Sequence, residues 1–241
     1  MKGTELLYNE LANYYEIVYG QKKYKQETQK IKQLIEKFKK SNGCNLLDVA
    51  CGTGKHISFL KKNFHCMGVD ISERMLEIAK RNVPDVEFKK ANMIDMKLEK
   101  KFDILTCLFS SIGLVKTYDN LKKTWENFAI HLEEGGVAIV EPWFFRPMHH
   151  QKYHYCPNED IQVAKLIRYR AENNLAILDY HYLISDKGKK VKHYVDHTEF
   201  GTFDADLTLQ IMENSGFEAH QLSGKDICIY DDQTFYIGVK R

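Results

Sequence analysis

Leu46-Leu47-Asp48-Val49-Ala50-Cys51-Gly52-Thr53-Gly54 decides how this chain is read. An apolar run carrying one acid breaks into two glycines around a threonine, and a helical pattern follows. The physical reading is a buried strand, a turn whose backbone can approach a ligand, and a helix N-terminus facing that ligand. A second apolar run, Met67-Gly68-Val69, ends in Asp70. An acid at the tip of the second strand of a nucleotide fold stands where ribose hydroxyls can donate to it.

Two ligand classes suit that frame. The dinucleotide fingerprint requires a small residue three positions after the second glycine, so that helix can pack on strand. That position is Ile57, which excludes it. What remains, D-x-x-x-G-T-G in a strand-turn-helix-strand frame, resembles the first motif of the class I S-adenosylmethionine (SAM) methyltransferases. The resemblance implies that Asp48 supports the loop at the amino-acid end of the cofactor, that the glycines make room for its methionine backbone, and that Asp70 grips the ribose. It implies a cofactor set of Asp48, Ala50, Cys51, Gly52, Thr53, Gly54, Asp70, Ile71, Met75, Asn92, Met93, Leu108 and Phe109, with S-adenosylhomocysteine (SAH) as product.

Working outward, helix and strand patterns alternate. Lys55 to Lys62 reads as a crossover helix, Phe64 to Asp70 as a strand, and Ser72 as the N-cap of a helix through Ala79. Val86 to Phe88 and the almost wholly apolar Phe102 to Phe109 read as strands. Leu121 to Leu132 is helical, Glu134-Gly135-Gly136 turns it, and Val137 to Glu141 is the next strand. This is the pattern of a doubly wound α/β sheet. Ahead of it, residues 5–19 carry an aromatic stripe at helical spacing, and Ile31, Leu34, Ile35 and Phe38 mark a second helix. From about Tyr153 to Phe203 the period switches to two, giving an antiparallel meander, before a helix from Asp204 to Asn214 and strands Phe217–Leu222 and Thr234–Val239. The expected architecture is a Rossmann-like methyltransferase sheet from residues 1–150 and 204–241, capped by N-terminal helices. An antiparallel β insert at 151–203 serves as substrate lid.

Further stretches resemble one branch of that family, the N-methyltransferases of nucleotide-linked 3-amino sugars. They are T-C-L-F-S-S-I-G at 106–113, V-E-P-W-F-F at 140–145, D-Y-H-Y at 179–182, H-Y-V-D-H at 193–197 and F-Y-I-G-V at 235–239. The branch implies in-line attack of a sugar amine on the SAM methyl group. Three positions depart from it. Leu114 stands where the branch has a histidine implicated in the amine chemistry, Ala91-Asn92-Met93 replaces a G-D-M turn, and Tyr8 is the nearest match to an N-terminal tyrosine that approaches the amine. Asn92 can accept from the adenine amino group only through its amide oxygen.

With Leu114 apolar, the candidate bases are His181, His193 and His197, oriented by Tyr14 or Tyr15. Tyr8, Ser110, Ser111, Trp143, Arg168 and His197 are the candidate substrate contacts, and Arg146 or Arg170 could face a diphosphate. His193 and His197 share a strand face but follow no H-E-x-x-H pattern, and His149, His150, His154 and Cys156 lie beside Pro147 and Pro157 as in a loop, so no metal is expected. The alternatives left open are another small-metabolite O- or N-methyltransferase and a SAM-binding protein without catalysis.

Composition narrows the partners. The 241 residues are 44% hydrophobic and 28% charged with a net charge of +2, an ordinary globular balance without the clustered basic surface that tracks nucleic acid. No run reaches the ~18 apolar residues of a membrane span. The N-terminus shows no apolar signal core, and six cysteines form no C-x-x-C pair. The expectation is a cytoplasmic enzyme with a small-molecule substrate, working alone or as a homodimer.

Overall fold

The computed structural model describes residues 5–143, 152–156, 160–186, 189–223 and 234–241. Phe144, Phe145, Arg146, Pro147, His149, His150, Pro157, Lys187, Gly188 and Cys228 lie outside the described residues, as do the side chains of His154 and Cys156.

The larger sheet is built on β1 (Asn45–Val49), β2 (His65–Asp70), β3 (Glu87–Lys90), β4 (Phe102–Cys107) and β5 (Leu132–Val140), all parallel. The last two strands of the chain, named β10 (Phe217–Ser223) and β11 (Thr234–Lys240) in chain order, close one edge. The spatial order is β3-β2-β1-β4-β5-β11-β10, with β11 antiparallel to both neighbours. Reversal of the strand order beside β1 opens a crevice at the strands' carboxyl ends, where such sheets bind ligands.

Helices cover both faces because alternate residues of the central strands point to opposite sides. Leu47 and Leu105 join Trp125 and Phe128 of α5 (Tyr118–His131) in one core. Their neighbours Leu46 and Ile104 join Ile31, Leu34 and Ile35 of α2 (Tyr24–Phe38) in another. Among the shorter helices, α3 (Lys55–Leu60) follows the glycine turn and α4 (Glu73–Asn82) follows Ser72, whose hydroxyl accepts from Met75 N as an N-cap. The helix α6 (Ala205–Asn214) starts at Asp204, which accepts from Leu207 N.

A second, four-stranded antiparallel sheet runs in the order β6 (Lys152–Cys156), β7 (Ile161–Glu172), β8 (Leu175–Asp186), β9 (Lys192–Gly201). Its inner face carries Val163, Ala176, Leu178, Tyr180, Tyr182, Ile184 and Phe200, packed on Leu7, Leu11, Tyr15 and Val18 of the N-terminal segment. That segment departs from the expected helix over residues 5–19. It is two 3-10 turns, Leu6–Tyr8 and Ala12–Tyr14, followed by the single turn α1 (Tyr15–Val18). The aromatic stripe faces the insert and the cleft instead of lining one helix. Leu6 N and Leu7 N donate to the two carboxylate oxygens of Asp196 in β9, at 2.9 and 3.1 Å.

Two other boundaries move. Glu134-Gly135-Gly136 lies inside β5, with Gly135 at φ 73° in a register shift between Phe102 and Ile104. A bulge, not a chain reversal, accounts for the turn-like composition. The strand β7 runs on to Glu172, paired residue for residue with β8. No helix among the described residues is long and apolar enough to cross a membrane.

Candidate active site

Beyond β1 the backbone alternates into the left-handed region at Ala50 (φ 56°), Gly52 (φ 54°) and Gly54 (φ 76°). At Ala50 this costs about 1 kcal/mol, a strain that persists where the surroundings hold the turn. Gly52 N donates to Asp70 Oδ2 at 2.8 Å and Ser72 N to Asp70 Oδ1 at 2.8 Å. Burial lifts the Asp70 carboxyl above its usual range, against the pull of the Ser72, Gly52 and Ile71 amides. The second-strand acid is thus clamped to the glycine turn, each oxygen keeping a lone pair for a ligand.

Asp48 lies within β1. Its Oδ1 accepts from Thr106 Oγ1 at 2.7 Å, while Oδ2 is buried without a hydrogen-bond partner. Desolvation pushes its carboxyl up to about 6, with His56 and the Thr106 bond acting in the opposite direction. A bare carboxylate oxygen in the interior is costly unless a partner arrives. A Cβ placed on Gly52 would meet nothing within 4 Å, so open space adjoins the turn.

These groups bound a two-part cleft. The larger part, about 420 Å³, is lined along one wall by Asp70, Ile71 and Ser72, at one end by Ala91, Asn92, Met93 and Ile94, and at the other by Ser111, Leu114, Val115 and Lys116. Glu5, Tyr8, Asn9 and Tyr15 form the roof. A smaller recess of about 40 Å³ is lined by Asp48, Cys51, Thr53, Lys55, His56, Tyr24 and Leu108. The two share Tyr15, Ala50, Gly52, Phe109 and Ser111. One flexible ligand bent at that junction would occupy both.

The roof is aromatic. Tyr8 and Tyr15 have ring centroids 6.2 Å apart, Tyr15 and Tyr19 4.8 Å, and Tyr19 meets Phe109 edge-on at 5.0 Å. Burial drives the Tyr8 and Tyr15 phenols well above their usual range, so both are neutral donors near pH 7. Ser72 Oγ donates to Tyr8 O at 2.5 Å, tying roof to wall. Asn92 Oδ1 accepts from Ile94 N at 3.1 Å in its own turn, which leaves its amide nitrogen as the donor free to meet a base.

Opposite the roof, the ends of β4 and β5 are laced together. Phe109 and Ser110 are both left-handed, at φ 54° and 62°. Phe109 N donates to Glu141 Oε2 at 2.7 Å, Ser110 Oγ to Pro142 O at 3.2 Å, and Ser111 Oγ to Leu108 O at 2.8 Å. Trp143 stacks on Phe200 of β9 with centroids 4.6 Å apart.

Most of the residues expected to bind a cofactor meet in this cleft. Gly54 is instead the N-cap of α3, and Met75 is buried beneath the roof. Among expected substrate contacts, Tyr8 and Ser111 line the cleft; Ser110 and Trp143 stand behind its rim. Among the described residues, the insert's expected polar contacts do not line it. His181, His193, His197 and Arg168 lie on the sheet face turned away from the core shared with the roof. There His181 and His193 stack at 5.2 Å. His197 Nδ1 lies 2.6 Å from Asp179 Oδ1 and its Nε2 3.4 Å from Glu199 Oε1, and Glu199 in turn meets Lys116 of the rim at 3.3 Å. Arg168 is exposed opposite Asp179. Tyr14 packs with the roof and insert core, without lining the cleft. The even spacing read from the sequence placed the histidines on one face correctly; it could not say which face.

Sequence reasoning missed Glu5, Asn9, Lys116, Lys55 and His56 as lining residues. It missed the network behind the recess as well. Glu27 pairs with Lys22 and with His56 Nε2 at 3.0 Å. Burial works to raise the Glu27 carboxyl, but His56 and Lys22 outweigh it and hold it below its usual range. No group of three or more His, Cys, Asp or Glu able to hold a metal ion occurs among the described residues.

Comparison with known proteins adds four findings. A methyltransferase domain model matches residues 46–136. Over 191 residues, 77% of this chain and 80% of the relative, the chain is 34% identical to the dTDP-3-amino-3,4,6-trideoxy-alpha-D-glucopyranose N,N-dimethyltransferase of Streptomyces venezuelae. Among solved structures, Streptomyces venezuelae DesVI superposes with a TM-score of 0.86 at 30% identity, covering 95% of this chain and 98% of that one. SAM-bound CalS10, an amino pentose methyltransferase from Micromonospora echinaspora, shares the fold at a TM-score of 0.82 and 23% identity, over 94% of this chain and 96% of its own.

Proposed function

This chain belongs to the SAM-dependent N,N-dimethyltransferases of nucleotide-linked amino sugars, and from that premise we propose that it methylates the amine of such a sugar in the cleft beneath Tyr8 and Tyr15. The observation that carries the placement is the bent cleft itself, in which Asp48, with one buried carboxylate oxygen unpartnered, lines one arm and the clamped Asp70 lines the other.

The residues present fit the cofactor. The ammonium of its amino-acid arm supplies the missing partner of Asp48, the space beside Gly52 admits that arm, and Asp70 accepts from the ribose hydroxyls. Asn92, Met93 and Ile94 enclose the adenine end.

SAM, when bound, supplies a methyl group already activated on a sulfonium. The protein's part is to align the amine and exclude water. Leu114 and Val115 form an apolar wall for the acceptor, the neutral phenols of Tyr8 and Tyr15 orient it, and Lys116 offers a cation to its diphosphate. Leu114 gives the amine proton no imidazole to move to, so the amine arrives unprotonated and sheds its later proton to solvent. The insert, residues 151–203, acts as the lid that carries the roof. The reading includes a cytoplasmic setting, a chain working alone or as a homodimer, and no nucleic-acid partner.

The test is calorimetric titration with SAM followed by a thymidine-diphosphate 3-amino sugar. A second, sugar-dependent heat and mass-detected methyl transfer are expected. SAM binding without that heat moves the acceptor elsewhere, and folded protein that binds no SAM overturns the placement.

A further inference from the structure

The turn from Ala91 to Ile94 closes the end of the cleft that encloses the adenine in the function proposed above, and Asn92 is the one polar side chain among its four residues. Three hydrogen bonds fix it. Ala91 N donates to Asp70 O at 3.0 Å, tying the turn to the cleft wall. Asp95 N donates to Asn92 O at 3.1 Å, and Ile94 N to Asn92 Oδ1 at 3.1 Å. Ile71, 61% exposed, and Met93 line the cleft beside it with apolar side chains that a flat ring can cover.

The bond from Ile94 decides which way the Asn92 amide faces. Turning the amide over would set its NH2 against the Ile94 N–H, donor against donor. With the oxygen held, the group left for a ligand is a donor. A carboxylate making the same turn would keep a second oxygen there, an acceptor. The consequence is a change in what can be read from the base. The 6-amino group of adenine donates and its ring nitrogens accept, so an acceptor recognises the first and a donor the second. Two carboxylates line the larger part of the cleft. Asp70 accepts from Gly52 N and Ser72 N and stands at the ribose, and Glu5 belongs to the roof.

We propose that Asn92 sets base selection in the cofactor site: its amide donates to a ring nitrogen of the purine, so the site binds the cofactor without reading the 6-amino group. This rests on the cofactor placement proposed above. Calorimetric titration compares SAH with the analogue whose base is unsubstituted purine, which keeps every ring nitrogen and lacks the amino group. Wild-type protein should bind the two within about threefold of each other. N92D keeps an oxygen for Ile94 N and offers the other to the ligand, so it should favour SAH over the analogue by about tenfold. N92A removes the donor and should weaken both ligands by a similar factor, leaving their ratio as in wild type. Wild-type protein that favours SAH by more than about threefold reads the amino group through Glu5, Asp70 or a backbone carbonyl, and overturns the proposal. N92D with the wild-type ratio, or N92A with unchanged affinity for both ligands, overturns it too. Wild-type protein that binds neither ligand overturns the cofactor placement itself, and the proposal with it.

Discussion

Gly52 and Asp70, eighteen residues apart, are joined by a 2.8 Å hydrogen bond from the glycine amide to the carboxylate. The acid that meets the ribose is therefore also the brace of the turn that meets the amino-acid arm. Asp70→Ala should weaken SAM binding by about 2 kcal/mol, roughly thirtyfold, through loss of charge-assisted bonds. It should lower the melting temperature too, because two amides lose their acceptor. Calorimetry and a thermal melt on the same sample read both effects. Unchanged affinity with a lowered melting temperature would show the brace without the ribose contact.

Asp48 sets stability against binding. Its carboxyl titrates at about 6 in the fold, above its value in the unfolded chain, so the folded state holds the extra proton between about pH 4 and pH 6. Stability falls as pH rises through that window, and above it the buried charge costs on the order of 3 kcal/mol. Asp48→Asn should raise the melting temperature of ligand-free protein at pH 7.5, and that gain should vanish near pH 4. The same variant should lose most SAM affinity, and wild-type affinity should drop as pH falls through about 6.

A methyl group at position 52 has room in the ligand-free protein, yet φ there is 54°. Gly52→Ala should cost about 1 kcal/mol of stability from backbone strain. SAM should then fail to raise the melting temperature, since the new Cβ occupies the room the amino-acid arm needs. A normal thermal shift with SAM would place that arm elsewhere.

Leu114 is half-buried on the cleft wall. Leu114→His should put a group that titrates near neutrality beside the acceptor and raise amino-sugar turnover about tenfold near pH 7, where wild-type rates follow the unprotonated amine. Initial rates across pH give the profile; coincident profiles would mean that the acceptor amine lies beyond reach of position 114.

The strand, turn and acid at Leu46–Asp70 were legible because burial period and glycine conformation are local properties. The antiparallel insert was legible from its alternation, though β7 and β8 each extend for twelve residues. What could not be read was which face looks inward. Lys165 is buried over the Tyr19 ring at 4.7 Å, while Leu183 and Val195 are exposed. Polarity alone would invert those assignments. The roof failed as a helix for a related reason: Tyr8, Tyr15 and Tyr19 are spaced for contacts with the insert and Phe109, partners a helical wheel does not contain. The partners of Glu141 and His56 gave no signal, because Phe109 and Glu27 are about thirty positions away.

The roof shares its apolar core with β7, β8 and β9, and Asp196 anchors it. Residues at the start of the described chain thus depend on residues synthesised nearly two hundred positions later. On the ribosome the nucleotide sheet can assemble strand by strand while the first segment waits without a partner, its leucines and tyrosines exposed. In the finished protein, residues 5–18 and 161–200 should open together in hydrogen exchange as one cooperative unit, and the bound cofactor should protect that distant pair as a block.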